Sequence, residues 1–467
     1  MRLLVITLLL AIVVPLAKAD RSIMVPADSL PTRWEYYPSA EGQMISLDDT
    51  WWKNFDDPVL DELIETALKN NYDLRTAFNN INIALNTYRA TRSGYFPTLS
   101  ATAGWEKDRI SGLMYGGGSA TKRQYWTGQL GISWQVDLFG KITKQLEAKK
   151  ASYQATQAEW AATMLTVVSE VIKEYIDLRV AQKQLELMQQ HAESQLDIVE
   201  MVLARQEAGV ASMLDVAQAK TVYYSTLANI PGYENTITSC LNALAVLTGT
   251  YTYNLPDELR ATPQELPKYQ QLVSIGIPLD LLRRRPDIIE MEKTVASYAA
   301  QLGVAKKDFL PSLTIEGTIS TVARDADKLF TRQSLGYTIA PTLTWNFPTG
   351  GELTYNVRVA RETLDNEINN YNYTVINAVE EVNNAISSFR NAMMYIKSLD
   401  DVVIWARKSL SLSVDLYRNG LTAFSNVVDA QEDVLEYETE AVTARENALV
   451  ALVQLYTSLG GGWQQEE

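Results

Sequence analysis

The chain has 467 residues, 46% of them apolar and 21% charged, with a formal charge of −15. That length suits several ordinary domains or one large repeated one, and the acidity argues against nucleic acid and anionic lipid surfaces as partners. One histidine, His191, and one cysteine, Cys240, exclude a catalytic histidine pair, a histidine-based metal site and any intramolecular disulfide. The histidine reads as a solvated surface residue and the cysteine as a small buried apolar one.

In chain order, Met1-Arg2, an apolar run from Leu3 to Leu16 and Ala17-Lys18-Ala19 spell a secretory signal peptide, residues 1–19, cut after Ala19. No other apolar run reaches 18 residues, so a membrane-resident form must span as a closed β-barrel. No cysteine follows the signal core, which leaves no N-terminal lipidation site. Residues 20–57, with Pro26, Pro31 and Pro38, are expected to be extended. Repeat 1 follows over 58–249: a helix, strands 96–106 and 124–137, and long helices 141–208 and 210–248. A proline-bearing linker over 250–279 leads to repeat 2, residues 280–460. This second copy has a helix, strands 311–320 and 335–347, and long helices 352–419 and 421–459, and residues 461–467 form a tail.

The duplication rests on landmarks that recur 211 residues apart: Trp134 and Trp345, Gly140 and Gly351, Gly209 and Gly420, Gly249 and Gly460. Tyr95-Phe96-Pro97 likewise answers Phe309-Leu310-Pro311. Residues 141–208 and 352–419 each lack glycine and proline, the strongest helix breakers, so each predicts a helix on the order of 100 Å long. In the second, Leu364, Ile368, Tyr371, Val375, Val379, Val382, Ile386, Phe389, Met393 and Ile396 step by three or four residues, as a helix–helix seam requires. Asn366, Asn369, Asn370, Asn377, Asn383 and Asn384 suit a wet opposite face. Pro231-Gly232 is expected to kink or break helix 210–248.

The strands alternate with period two. Leu99, Ala101, Ala103 and Trp105 share one face, as do Trp126, Leu130, Ile132 and Trp134. In repeat 2, Leu313, Ile315 and Ile319 match Tyr337, Ile339, Leu343 and Trp345. Small or polar residues fill the other face. That pattern suits an outer-membrane barrel wall with Trp105, Trp126, Trp134 and Trp345 as interfacial aromatics. A soluble sandwich with buried tryptophans is the competing reading. Four strands cannot close a barrel alone, so several copies must contribute. Pro341 on the apolar face weakens the last strand. The connectors 107–123 and 321–334 are expected as exposed loops.

A complete ordered set of short motifs now carries a resemblance. It comprises Trp51-Trp52 through Phe55-Asp56-Asp57-Pro58, Gly94-Tyr95-Phe96-Pro97, and Ser133-Trp134-Gln135-Val136-Asp137-Leu138-Phe139-Gly140. Arg284-Arg285-Pro286-Asp287-Ile288 and Ser458-Leu459-Gly460-Gly461-Gly462-Trp463 complete it. The chain resembles the TolC-like outer membrane efflux proteins, the branch serving resistance–nodulation–division pumps. The resemblance implies an α+β membrane protein: a homotrimer whose twelve strands, four per chain, form a barrel continuing into an α-helical coiled-coil tunnel in the periplasm. It also implies outer membrane lipid, a periplasmic adaptor protein and an inner-membrane pump as partners, with no enzyme activity, cofactor or metal. The function implied is an exit duct passing small molecules such as drugs or metal ions, with the outer duct of a type I protein secretion system as the alternative. A secreted coiled-coil adhesin fits the helices but not the strands.

Many relatives carry a lipidated cysteine after the signal, where this chain has Asp20. The resemblance further places the tip turns and adaptor docking at Gly209 and Gly420, and a periplasmic gate at Tyr417, Asp215, Asn426 and Asp429. Three Asp429 carboxylates around a three-fold axis would attract cations, and a Tyr417–Asp215 contact would latch the closed state. Arg283-Arg284-Arg285 reads as structural rather than as an anion site.

Overall fold

In the computed structural model the described residues are 50–111, 120–260, 266–267, 284–347 and 350–461. The signal peptide, most of the N-terminal segment, most of the linker and the C-terminal tail lie outside them. The described chain forms helices α1 (Pro58–Asn70), α2 (Tyr72–Arg92), α3 (Lys141–Glu207), α4 (Met213–Leu247), α5 (Pro286–Lys307), α6 (Glu352–Arg418) and α7 (Ser425–Ser458). Its strands are β1 (Thr98–Ile110), β2 (Thr121–Val136), β3 (Ser312–Ala323) and β4 (Leu335–Thr344). Two compact units divide the chain: one of residues 1–79, 158–289 and 372–467, the other of residues 80–157 and 290–371.

The first unit is helical and built around a long apolar core. Trp51 is fully buried and stacks on Tyr456 with ring centroids 4.7 Å apart. Asp57 caps α1, accepting from the amides of Val59 (3.0 Å) and Leu60 (3.3 Å), and also accepts from Tyr175 Oη at 2.5 Å. The Trp-Trp and Asp-Pro motif is thus a packing and capping device. The end of the N-terminal segment is not extended: Trp51–Phe55 is a 3-10 turn, because that geometry sends three aromatic rings into the core. The first helix of repeat 1 is also interrupted. Asn71 accepts from the amides of Asp73 and Leu74 and starts α2 as its cap.

The seam on α6 forms largely as its spacing requires. Leu364, Ile368, Val375, Val382 and Ile386 are buried, whereas Met393 is half exposed. Helix α4 runs unbroken through Pro231. Pro231 and Gly232 both sit on the exposed side, where water can hydrate the carbonyl left without a donor. Cys240 is buried, and burial pushes its thiol up to about 11, so it is inert packing.

The second unit carries an antiparallel meander in the order β1-β2-β3-β4. Its register aligns like faces across all four strands: Leu99 with Ile132, Gly317 and Ile339, then Ala101 with Leu130, Ile319 and Tyr337. The opposite rows are small or polar, such as Ser100, Gly131, Thr318 and Thr338. The apolar face is bare: Leu99 is 82% exposed, Tyr337 80% and Ile339 74%. A soluble sandwich would bury it. Pro341 lies opposite Ile315 in β4, an edge strand of this sheet, the kind of strand in which proline is found. The strands reach farther than the alternation alone placed them, to Ile110 and from Thr121, and β4 stops at Thr344.

The paired landmarks share geometry as well as spacing. Gly140 and Gly351, Gly209 and Gly420, and Gly249 and Gly460 all have φ between 64° and 78°. Trp134 donates its indole N–H to the Tyr95 carbonyl at 2.9 Å, and Trp345 donates to the Phe309 carbonyl at 3.0 Å. Each tryptophan thereby pins a strand end to the junction where the preceding helix becomes a strand.

Candidate functional site

The two tip turns lie at the ends of α3 and α6. Both helices stop in the same way. Gly209 donates to the Gln206 carbonyl (2.9 Å) and Val210 to Arg205 (3.0 Å), while Gly420 donates to Tyr417 (2.9 Å) and Leu421 to Leu416 (2.9 Å). This pair of reversed bonds needs a left-handed residue at its centre, which glycine adopts without steric cost. Helices α4 and α7 begin at Met213 and Ser425, a few residues beyond the glycines rather than directly after them. Those intervening residues complete each turn.

Tyr417, on the last turn of α6, is 4% exposed. It belongs to a small apolar cluster with Ile198, Val199, Val202, Val216, Ala219, Phe424 and Val427. Its hydroxyl donates to Asp215 Oδ2 at 2.9 Å, so the two residues are brought together as expected. Burial first, and then the Asp215 carboxylate, raise the Tyr417 hydroxyl above the usual tyrosine range, keeping it a proton donor.

Two partners escaped the sequence reading. The Arg205 guanidinium lies 4.9 Å over the Tyr417 ring while its Nη1 donates to the Arg418 carbonyl at 2.5 Å. Ser212 caps α4: its Oγ accepts from the Asp215 amide (3.2 Å) and donates to Asp215 Oδ1 (2.7 Å). The Ser-x-x-Asp spacing of a capping box was the available signal for Ser212. Nothing local announces Arg205, whose partners are more than 200 positions away.

Asn426 and Asp429 are both exposed on the first turns of α7. Asn426 is occupied locally, donating to Thr422 Oγ1 at 2.5 Å. Asp429 lies apart from the Tyr417–Asp215 contact within the described contacts. Arg285 is not an anion site: it is buried and spends its donors on Asp287 (2.7 and 3.0 Å), Glu381 (2.8 Å) and the Ser458 carbonyl (2.9 Å). His191 is not a solvated surface residue either. Its Nε2 lies 2.6 Å from Glu438 Oε2 in a largely buried pair.

The four tryptophans expected at the membrane interface fall into two groups. Trp105 and Trp126 face each other across β1 and β2 with ring centroids 6.4 Å apart. Trp134 and Trp345 lie at the helix end of the sheet, 38% and 36% exposed. Trp126 and Trp134 share a face, and eight residues of strand separate them by about 26 Å along the strand. Among the described residues no helix is long and apolar enough to cross a membrane, and no cluster of side chains could hold a metal ion.

The sequence profile of the outer membrane efflux protein family matches residues 63–250 and 277–461. The chain is 27% identical over 433 residues to the toluene efflux pump outer membrane protein TtgC of Pseudomonas putida, covering 92% of this chain and 89% of that one. It is 26% identical over 432 residues to nodulation protein T of Rhizobium leguminosarum bv. trifolii, covering 91% of each. Among solved structures, the outer-membrane channel OprN superposes with a TM-score of 0.84 at 27% identity, over 93% of this chain and all of that one. The open state of the Neisseria gonorrhoeae MtrE outer membrane channel superposes at 0.82 and 26% identity, over 93% and 96%. The chain belongs to the outer membrane efflux protein family, and it is an efflux channel of the outer membrane reaching into the periplasm, not an enzyme.

Proposed function

We propose that three copies of the chain close a twelve-stranded barrel and a helical tunnel, forming the passive exit duct of a tripartite efflux pump. The observation that carries this reading is the bare apolar sheet face with two open edges. Among the described residues, strands β1 and β4 each have a neighbour on one side alone, and four strands are too few to close a barrel. Pairing β4 of one copy with β1 of the next satisfies both edges, and lipid covers the apolar face.

The Tyr417–Asp215 hydrogen bond ties the end of α6 to the start of α4. In the duct this contact serves as a latch on the closed entrance. A bond to a charged group contributes about 1.5–3 kcal/mol, and three copies of it bias a two-state gate substantially. The exposed Asp429 carboxylates line the entrance and draw in cations. An adaptor docks against the turns at Gly209 and Gly420, and the inner-membrane pump supplies the energy. Cargo is small molecules of the kind named for the relatives, such as solvents and antibiotics, or metal ions.

Fractionation should place the chain in the outer membrane as a heat-modifiable trimer that co-purifies with an adaptor protein. A monomer, or an outer-membrane trimer that recovers no adaptor after cross-linking, would overturn the assembly.

A further inference from the structure

Helices α3, α6 and α7 meet at a second polar point, remote in sequence from the tips. His191 of α3 and Glu438 of α7 are 2.6 Å apart, with side chains 12% and 8% exposed. Arg407 of α6 bonds the other oxygen of the same carboxylate. We propose that His191, Glu438 and Arg407 form a proton-operated clasp joining the helices of the two repeats, which makes opening of the duct depend on pH. The proposal deepens the gated-duct reading and rests on it.

Imidazole is the side chain whose charge changes between about pH 5 and 8. Burial acts to raise Glu438, but hydrogen bonds from His191 and Arg407 outweigh it and hold the carboxyl below the usual glutamate range. The carboxylate is therefore charged across that whole interval, which leaves the imidazole as the member of the trio whose charge can change. A charged imidazole makes a charge-assisted bond roughly twice as strong as a neutral one. A protonated imidazole tightens the clasp and a neutral one loosens it. Well below pH 5 it fails again, because Glu438 itself becomes protonated.

The charged groups facing the imidazole are Glu438 from α7 and Arg407 from α6. On its own helix, Glu186 is engaged by Lys183 and Gln190, and Glu193 is exposed. Gln184 adds a neutral link to Thr443 of α7 at 3.2 Å.

Buried polar groups without partners also occur on α3, α4 and α7. Gln195, one helical turn beyond His191, is buried with neither amide atom bonded. Gln431 of α7 and Thr226 of α4, both buried, also carry unbonded side-chain oxygens. Buried polar groups without partners disfavour tight packing, so this stretch of the bundle is predisposed to part. The clasp holds it from above and the Tyr417 latch from below.

His191 is the chain's only histidine, so full-length protein labelled with 13C-histidine and carrying no histidine tag gives one imidazole resonance. Its titration midpoint should fall by at least half a pH unit in Glu438→Gln, which removes the anion. It should rise in Arg407→Gln, which removes a cation from an exposed side chain and leaves the fold intact. An unshifted midpoint in both variants overturns the clasp. In planar bilayers, the conductance of the unmodified channel should rise at least threefold between pH 5.5 and 8. His191→Gln should remove more than half of that change.

Glu446, two turns further along α7, also titrates in this range, since burial pushes it up to about 7. The deciding quantity is therefore the difference between unmodified channel and variant. Identical pH profiles, or none in the unmodified channel, would sink the proposal. If the resonance shifts but Tyr417→Phe with Asp215→Ala leaves conductance unchanged, the gated-duct reading fails instead.

Discussion

The two helical tips are the same backbone put to different uses. Each ends in a glycine with φ near 70° and the same pair of reversed hydrogen bonds. Their side chains diverge completely. The first tip is self-contained: Ser212 caps α4, orients Asp215 and presents a carboxylate as a fixed acceptor. The second has no side-chain cap, because its N-cap residue is Phe424, which is buried against the Tyr417 ring with centroids 5.0 Å apart. One tip is a socket and the other a plug. The two turns share one backbone geometry, and only the second leans on a side-chain contact to its neighbour.

The largest effect should come from breaking the link between the tips. Tyr417→Phe with Asp215→Ala should raise closed-state conductance in planar bilayers at least tenfold, since even one bond of about 1.5–3 kcal/mol is worth a factor of ten or more at about 1.4 kcal/mol per tenfold. Arg205→Ala should give a smaller rise, roughly threefold, because it removes the cation over the ring and the bond to the Arg418 carbonyl but leaves the hydroxyl contact.

The shared backbone predicts an equal response where the side chains predict an unequal one. Gly209→Ala and Gly420→Ala should each lower thermal stability by about 1 kcal/mol per chain, since both positions have positive φ and open space for a methyl group. A large difference between them would mean that the second tip draws stability from its neighbour through the backbone too. Asp429→Ala should act most weakly, reducing cation selectivity and block by multivalent cations without changing the closed-state leak. Retention of both properties would put the acidic ring elsewhere.

The two polar contacts also separate by pH. The Tyr417 hydroxyl is raised above its usual range, so the bond it donates is present below about pH 10 and is lost only as pH climbs past that. Conductance changes between pH 6 and 8 therefore report on other groups. One of these is the Asp177–Glu446 carboxyl pair: burial raises both, and the Asp177 charge pushes Glu446 further up, while the hydrogen bond from Glu446 works to lower Asp177. A raised carboxyl favours the protonated folded state, so helical stability from this pair should fall as pH rises through about 7. Glu446→Gln should flatten that slope in thermal unfolding scans.

Much of this was legible because it obeys local rules. Breaker-free runs gave α3 and α6, period-two alternation gave the sheet faces, and recurring glycines gave the turns. The Tyr417–Asp215 contact came through resemblance, not spacing. What escaped depended on distant partners. His191 has a polar local sequence and looks solvated, yet Glu438 meets it from 247 positions away. Arg205 looks like one more exposed basic residue until the other repeat brings Tyr417 beneath it. Trp134 and Trp345 read as membrane aromatics, and only the fold reveals that their indole nitrogens anchor strand ends. Pro231 misled for the opposite reason, since a local breaker rule was overridden on a solvated helix face.

The most direct measurement is a double-mutant cycle on the link between plug and socket. Closed-state conductance would be recorded for Tyr417→Phe, Asp215→Ala and the double variant in planar bilayers. A direct bond predicts that each single change opens the duct nearly as far as both together. Fully additive effects, or three variants indistinguishable from the unmodified channel, would show that Tyr417 and Asp215 do not hold the entrance shut.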